Sequence, residues 1–248
     1  MQKKTNYSYI GIAFILLLFG ILFVPKIIDR IKNDDISRSD RMSAGQDNNF
    51  SNDEKLAFIE INNEPKKVPT FSFVNQDGKT ITQEDYKGKV YVVEFFFTTC
   101  PTICPRMNSN LVEVQNAFKG NGNFGIASFS ITPELDTPEV LKEYAERYGI
   151  ANPNWNLMTG EEEAIYELAN KGFNIYVSRV EDDEVGFEHS GDFALIDKNG
   201  FIRSRLDGFG NPKIFYKGII SEKEKYDEDG NEQEITMLKE DIKKLLNE

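Results

Sequence analysis

Cysteine, histidine and tryptophan are all scarce in this chain, with two, one and one among 248 residues. That scarcity rules out a four-cysteine zinc site and any multi-histidine metal centre by arithmetic. The two cysteines, Cys100 and Cys104, stand only four apart, so they are too near to staple distant parts of a fold. Such a pair either cycles between dithiol and disulfide or binds a soft metal. Positive charge is also short: 29 Lys and Arg stand against 41 Asp and Glu, a net charge of −12. A phosphate-binding surface needs clustered cations, so nucleic acid is excluded as a partner. There is no internal repeat and no low-complexity tract, and the length is ample for one sizeable core.

The N-terminus differs in kind from the rest. Lys3 and Lys4 precede an apolar run over residues 10–25, Ile27 and Ile28 extend it, and Tyr7 and Tyr9 form an interfacial edge. About twenty such residues span a bilayer as a helix. A cleaved signal peptide is the rival reading, but it has a shorter apolar run, and no small-x-small cleavage site follows Val24. The expected organisation is a short tail at 1–8, a transmembrane anchor at 9–28, a polar flexible linker at 29–55, and a folded domain at 56–248. Lys26, Arg30 and Lys32 follow the span, so basic residues do not orient it cleanly. The very short tail favours an N-in anchor with the domain on the exported side, at a bacterial inner membrane facing the periplasm or its equivalent.

The domain reads as α/β. Phe71-Ser72-Phe73-Val74, a turn at Asn75-Gln76-Asp77-Gly78, and Thr80-Ile81-Thr82 predict a hairpin. Residues 89–97 form a nearly continuous β-branched and aromatic run, as in a central strand covered on both faces. Met107, Leu111, Val114 and Phe118 fall at helical spacing, closed by Gly120. A strand over 124–131 precedes a helix opened by Thr137-Pro138 and stopped at Gly149. Thr159-Gly160-Glu161-Glu162 has the pattern of a capping box opening a short third helix that stops at Gly172. A hairpin over 193–203 and an amphipathic helix marked by Ile235, Leu238, Ile242 and Leu245 complete the order β-α-β-α-α-β-β-α. That order predicts a mixed sheet flanked by helices on both faces, with the site beyond the strand C-termini. Cys100-Pro101-Thr102-Ile103-Cys104-Pro105 lies at one such strand end.

Residues four apart on a helical turn share a face, so both sulfurs can address one acceptor. A helix N-terminus stabilises thiolate, which predicts lowered pKa values for both cysteines. In the metal reading His189 is the third ligand, and two thiolates with one imidazole suit Cu(I), with an open side for transfer. A structural zinc site lacks its fourth ligand here. Met107 is a thioether donor by type, but its spacing with Leu111 reads as core. The acidic runs at 181–184 and 227–229 read as solvated loops, and Trp155 as core or interface.

Gly88-Lys89-Val90, then Glu94-Phe95-Phe96-Phe97-Thr98-Thr99 running into the cysteine motif, resembles the signature of the Sco/SenC family. Residues 130–141 and Trp155-Asn156-Leu157-Met158-Thr159-Gly160 resemble its second and third blocks, and His189 stands before a strand, where that family carries its distal histidine. The similarity covers roughly residues 69–207, and Thr132 stands where the second block commonly has an aspartate. The resemblance implies a thioredoxin-like fold behind a single-span anchor, binding one copper, Cu(I) or Cu(II), through Cys100, Cys104 and His189. It further implies delivery to the dinuclear copper centre of cytochrome c oxidase, whose copper-bearing subunit would be the partner, with an upstream copper donor or thiol reductant. Residues 209–231 are longer and more acidic than the resemblance leads one to expect, and no function attaches to them.

The competing activity is a thiol-disulfide oxidoreductase that reduces the oxidase's copper-ligand cysteines. Cys100 would be its attacking thiolate, Cys104 its resolver and His189 a bystander. Thioredoxin-type reductants carry Trp-Cys-x2-Cys and a proline before a later strand, whereas Thr99 precedes Cys100 and Ser190-Gly191-Asp192 precede Phe193 here. A peroxidase motif Pro-x3-Thr-x2-Cys fails at Val93 and Phe97.

Overall fold

The computed structural model describes Phe19 and residues 55–61, 64–179, 187–207 and 210–248, with 179 and 187–189 described by their backbone. The chain divides into two compact units, Met1–Asn49 and Phe50–Glu248, and the described residues other than Phe19 belong to the second. The anchor expected at 9–28 lies outside the described residues, apart from Phe19, as does most of the linker. Among the described residues no helix is long and apolar enough to cross a membrane.

The centre of the domain is β6 (Val90–Phe96), every residue of which is buried. Its β-branched and aromatic side chains suit a pleated strand with no wet face. β7 (Phe124–Ser130) lies parallel to it, in register from Val90↔Phe124 to Phe96↔Ser130. β11 (Asp192–Ile196) lies antiparallel on its other side. The remaining strands are β1 (Ala57–Phe58), β4 (Ser72–Asn75), β5 (Thr80–Thr82), β8 (Trp155–Thr159) and β12 (Ile202–Ser204), and the sheet runs β1-β12-β11-β6-β7-β8-β4-β5. β13 (Tyr216–Lys217) pairs with β11 outside that path. Two small ribbons stand apart: β2 (Glu60–Ile61) with β3 (Glu64–Pro65), and β9 (Val177–Arg179) with β10 (Phe187–His189).

Four α-helices, beside a short 3-10 helix at Gln83–Tyr86, complete the described domain: α1 (Ile103–Ala117), α2 (Pro138–Tyr148), α3 (Glu162–Glu167) and α4 (Ile235–Asn247). Alternation along β6 divides its side chains between two covered faces. Phe96 packs on Tyr144 of α2, with centroids 5.4 Å apart. From the opposite face Tyr91 stacks on Tyr86 at 4.4 Å and Phe95 on Phe129 at 5.3 Å. The predicted punctuation of α2 holds: Thr137 Oγ1 accepts from the Val140 amide, Pro138 is the first residue, and Gly149 ends it at φ 69°. Ile235, Leu238, Ile242 and Leu245 are the buried stripe of α4, as their spacing required.

Two local expectations are corrected. Thr159 does not open a capping box, because it is the last residue of β8; α3 starts at Glu162 with Glu161 before it and no side-chain cap. The chain then widens into a π-helical turn over Leu168–Phe173, closed by Asn174 at φ 57°. β8 itself was missed, because polar residues interrupt its apolar pattern. Buried Asn156 accepts from Asn75 Nδ2 at 2.8 Å and donates to the Tyr86 hydroxyl at 2.9 Å. Its polar atoms are satisfied across the sheet, so burial costs little. Trp155 and Met107 are core, as expected.

Candidate metal centre

The turn from β6 into α1 carries both cysteines, and its shape follows from how the helix start is satisfied. Thr102, the residue before α1, makes no side-chain cap bond. Instead the Cys104 amide donates to Cys100 Sγ at 3.4 Å, while the Cys100 amide donates to Phe97 O at 3.3 Å. A sulfur thus takes a helix-start amide that a cap oxygen would otherwise accept. Cys100 is 7% exposed and Cys104 fully buried, and no disulfide joins them. Both cysteines are therefore buried, Cys100 slightly less so than Cys104.

The expectation that both thiols are acidified is corrected at Cys104. Burial pushes its pKa far above the ordinary thiol value, the neighbouring Cys100 adds to that, and a backbone bond from Phe97 opposes it only in part. Desolvation of a thiolate outweighs the partial charge of a helix end when the sulfur has no water. A metal that binds here must displace a proton from a thiol that holds it tightly.

Below the pair, on the α2-facing side of β6, stands Glu94. Its Oε1 accepts from Ser128 Oγ at 2.6 Å, and Ser128 Oγ accepts from Trp155 Nε1 at 2.9 Å. Glu94 Oε2 has no partner among the described residues. Burial raises this carboxyl to about 7, against a smaller lowering by the Ser128 hydroxyl.

Asp136 was not singled out from sequence, yet it fastens the cysteine turn. It is fully buried, and its carboxylate accepts from the Thr98 amide at 3.1 Å and from the Thr98 hydroxyl. It also accepts from Ser130 Oγ at 2.5 Å and Thr132 Oγ1 at 3.0 Å. Thr132, at the position where an aspartate was expected, thus serves a carboxylate four residues on. The available signal was Thr98 two residues before Cys100, opposite an Asp ending a turn after β7, but only the fold puts the two in contact.

His189 closes β10, paired in register with Val177 of β9, and stands three residues before β11. It therefore enters from a separate ribbon, and its backbone is what the structure describes. Asn170 holds the partner strand, donating to Val177 O at 3.0 Å and accepting from Val177 N at 3.1 Å.

The sequence pattern of the SCO1/SenC family matches residues 60–223. This chain belongs to the SCO1/SenC family. It is 36% identical over 158 residues to a SCO1 protein homolog of Bacillus subtilis, covering 63% of this chain and 80% of that one. It is similar to the structure of BsSco, a member of the Sco family of cytochrome c oxidase assembly proteins in which a disulfide switch was identified. That match has a TM-score of 0.57 and 32% identity, covering 73% of this chain and 94% of that one. A copper-bound ScoI of Bradyrhizobium japonicum matches with a TM-score of 0.50 and 25% identity, covering 57% and 89%. The mixed sheet with flanking helices is the architecture of these Sco structures, in agreement with the thioredoxin-like fold expected. The two thiols, four residues apart where β6 runs into α1, are donors of the soft type that suits copper.

Proposed function

We propose that this chain is a membrane-anchored copper carrier that holds one copper through Cys100, Cys104 and His189 and delivers it to the dinuclear copper centre of cytochrome c oxidase. The observation that carries the reading is the cysteine pair where β6 runs into α1, the Cys104 amide bonded to Cys100 Sγ, in a chain of a family whose Bradyrhizobium member has a copper-bound structure. Cys100, the less buried of the two, is the sulfur that a donor or acceptor meets first, and Cys104 completes the soft pair. Ligand exchange then needs only that an incoming thiolate replace one sulfur at a time. The anchor at 9–28 keeps this exchange at the membrane surface, with the domain on the exported side.

The test is Cu(I) titration of the fully reduced full chain beside His189→Ala and Cys100→Ser. One copper per chain, bound tightly by the wild type and weakly by both variants, is expected. Equal binding by wild type and His189→Ala sinks the three-ligand site.

The disulfide switch of BsSco favours a second reading in which the same thiols do redox work. Cys100 thiolate would attack a disulfide in the oxidase subunit, Cys104 would resolve the mixed disulfide, and two electrons and two protons would pass to the partner's sulfurs. A Cys100–Cys104 disulfide would remain here. Undiminished reduction of such a disulfide by His189→Ala, together with loss in Cys100→Ser, favours this reading over copper delivery.

A further inference from the structure

The acidic extension that had no role at the sequence level crosses between the two arms of the site. It leaves the sheet after β12, where the Lys213 amide donates to Arg205 O at 2.9 Å and Lys213 O accepts from the Ser204 hydroxyl. It then lays β13 against the start of β11, pairing Lys217 with Asp192 and Tyr216 with Phe193. Lys217 Nζ reaches Asp192 Oδ1 at 2.6 Å. Asp192 is three residues after His189.

At Gly218 both ends of one residue are used. Its N–H donates to Gly191 O at 2.8 Å, two residues after His189. Its C=O accepts from Asn110 Nδ2 at 2.7 Å, on α1, six residues after Cys104. Further on, Glu224 pairs with Arg106 Nη2 at 2.8 Å, two residues after Cys104. Side chains of the opposite segment fill the space over both glycines. A Cβ on Gly218 would lie 2.3 Å from the Phe193 ring, and one on Gly191 2.3 Å from Ile219. At Gly218 a buried aromatic ring would have to shift to admit a side chain, whereas at Gly191 the obstacle is the end of the Ile219 side chain.

We propose that residues 213–224 are a strap that positions His189 against the cysteine helix, making Gly218 and Asn110 positioning residues for copper binding. This rests on the copper reading above. A two-stranded ribbon such as β9–β10 is marginal by itself, so its place is set by what holds its ends. Asn170 holds the Val177 side, and the strap holds the Gly191 side while bonding to α1.

The experiment is Cu(I) affinity by competition titration on the reduced full chain, for Gly218→Ala and Asn110→Ala, each also combined with His189→Ala. Hydrogen exchange at 187–193 and a thermal melt accompany each. Both single variants should bind copper about 10-fold more weakly, a loss of the size seen for outer-shell partners of metal ligands. Exchange at 187–193 should quicken in both. In the His189→Ala background the same changes should cost nothing further, since non-additivity is the mark of a shared route. The strap is overturned if either single variant binds as wild type, if the loss persists unchanged without His189, or if exchange at 187–193 is unaltered. Should Gly218→Ala fail to melt cooperatively, Asn110→Ala carries the cycle alone. A His189→Ala chain that binds copper like wild type overturns the copper reading and the strap with it. Weak binding by His189→Ala beside wild-type binding by Gly218→Ala overturns the strap alone.

Discussion

The cysteine arm leaves the middle of the sheet, whereas the histidine arm leaves a two-stranded ribbon beside it. Cys100 and Cys104 follow a strand buried along its whole length, and their turn is fastened by the Asp136 carboxylate and by an amide bonded to sulfur. His189 sits on β10, which among the described residues pairs with β9 alone; Asn170 bonds that ribbon at Val177, and Gly191 beyond its other end bonds to Gly218, which accepts from Asn110 of α1. A core strand is held by burial on both faces, which no single contact controls. A ribbon is held by its edges, where one contact matters. The difference teaches that the two proposed thiol ligands are built into the fold, while the proposed third ligand is attached to it and is the adjustable one.

The widest breach of this comparison is on the cysteine side. Cys104→Ser should abolish measurable Cu(I) binding, because a hydroxyl is a poor soft-metal donor, while thermal melts show the fold retained. Next, His189→Ala should weaken Cu(I) at least ~10-fold and leave the melt unmoved, as expected for a ligand outside the main core. A melt lowered by several degrees would place His189 in the core and erase the contrast.

Glu94 sharpens the comparison from beneath the cysteine arm. Its pKa is raised in the folded state to about 7 from 4.5, so the native protein holds more protons than the unfolded chain between those values. This group's contribution to stability is therefore present below about pH 4.5 and lost as pH rises through 7, a change of about 3 kcal/mol. Glu94→Gln should flatten that part of the stability-pH curve, read from denaturant midpoints at pH 5 and pH 8. An unchanged slope would mean the carboxylate is not held in a dry site. The smallest effect is expected from Asp136→Asn, which keeps an acceptor for the Thr98 amide but meets several hydroxyls with one amide. A loss of about 2 kcal/mol by chemical denaturation, with faster alkylation of Cys100, is the expected result. Wild-type alkylation would show that the turn holds its shape without the carboxylate.

Much of the cysteine arm was legible. The run over 89–97 could only be a strand wet on neither face, and Thr137-Pro138 with Gly149 marked both ends of α2. β8 was hidden because Asn156 and Thr159 look like loop residues until Asn75 and Tyr86 are placed opposite. The capping-box pattern at Thr159 misled because a strand claimed that residue first; pairing with β4 at Val74 outweighs a single cap. The direction of the Cys104 shift was not readable either, since a helix dipole is visible in a sequence and the burial that opposes it is not.

The sequence by itself determined the donor types, the sheet's central strand and the family, because each is written in neighbouring residues whose spacing has a physical period or a fixed chemistry. Tertiary structure alone decided that Asp136 clasps Thr98 across 38 positions and that Gly218 meets Asn110 across 108. Such contacts have no local signature: a carboxylate or a glycine shows its purpose only when folding brings its partner within bonding distance.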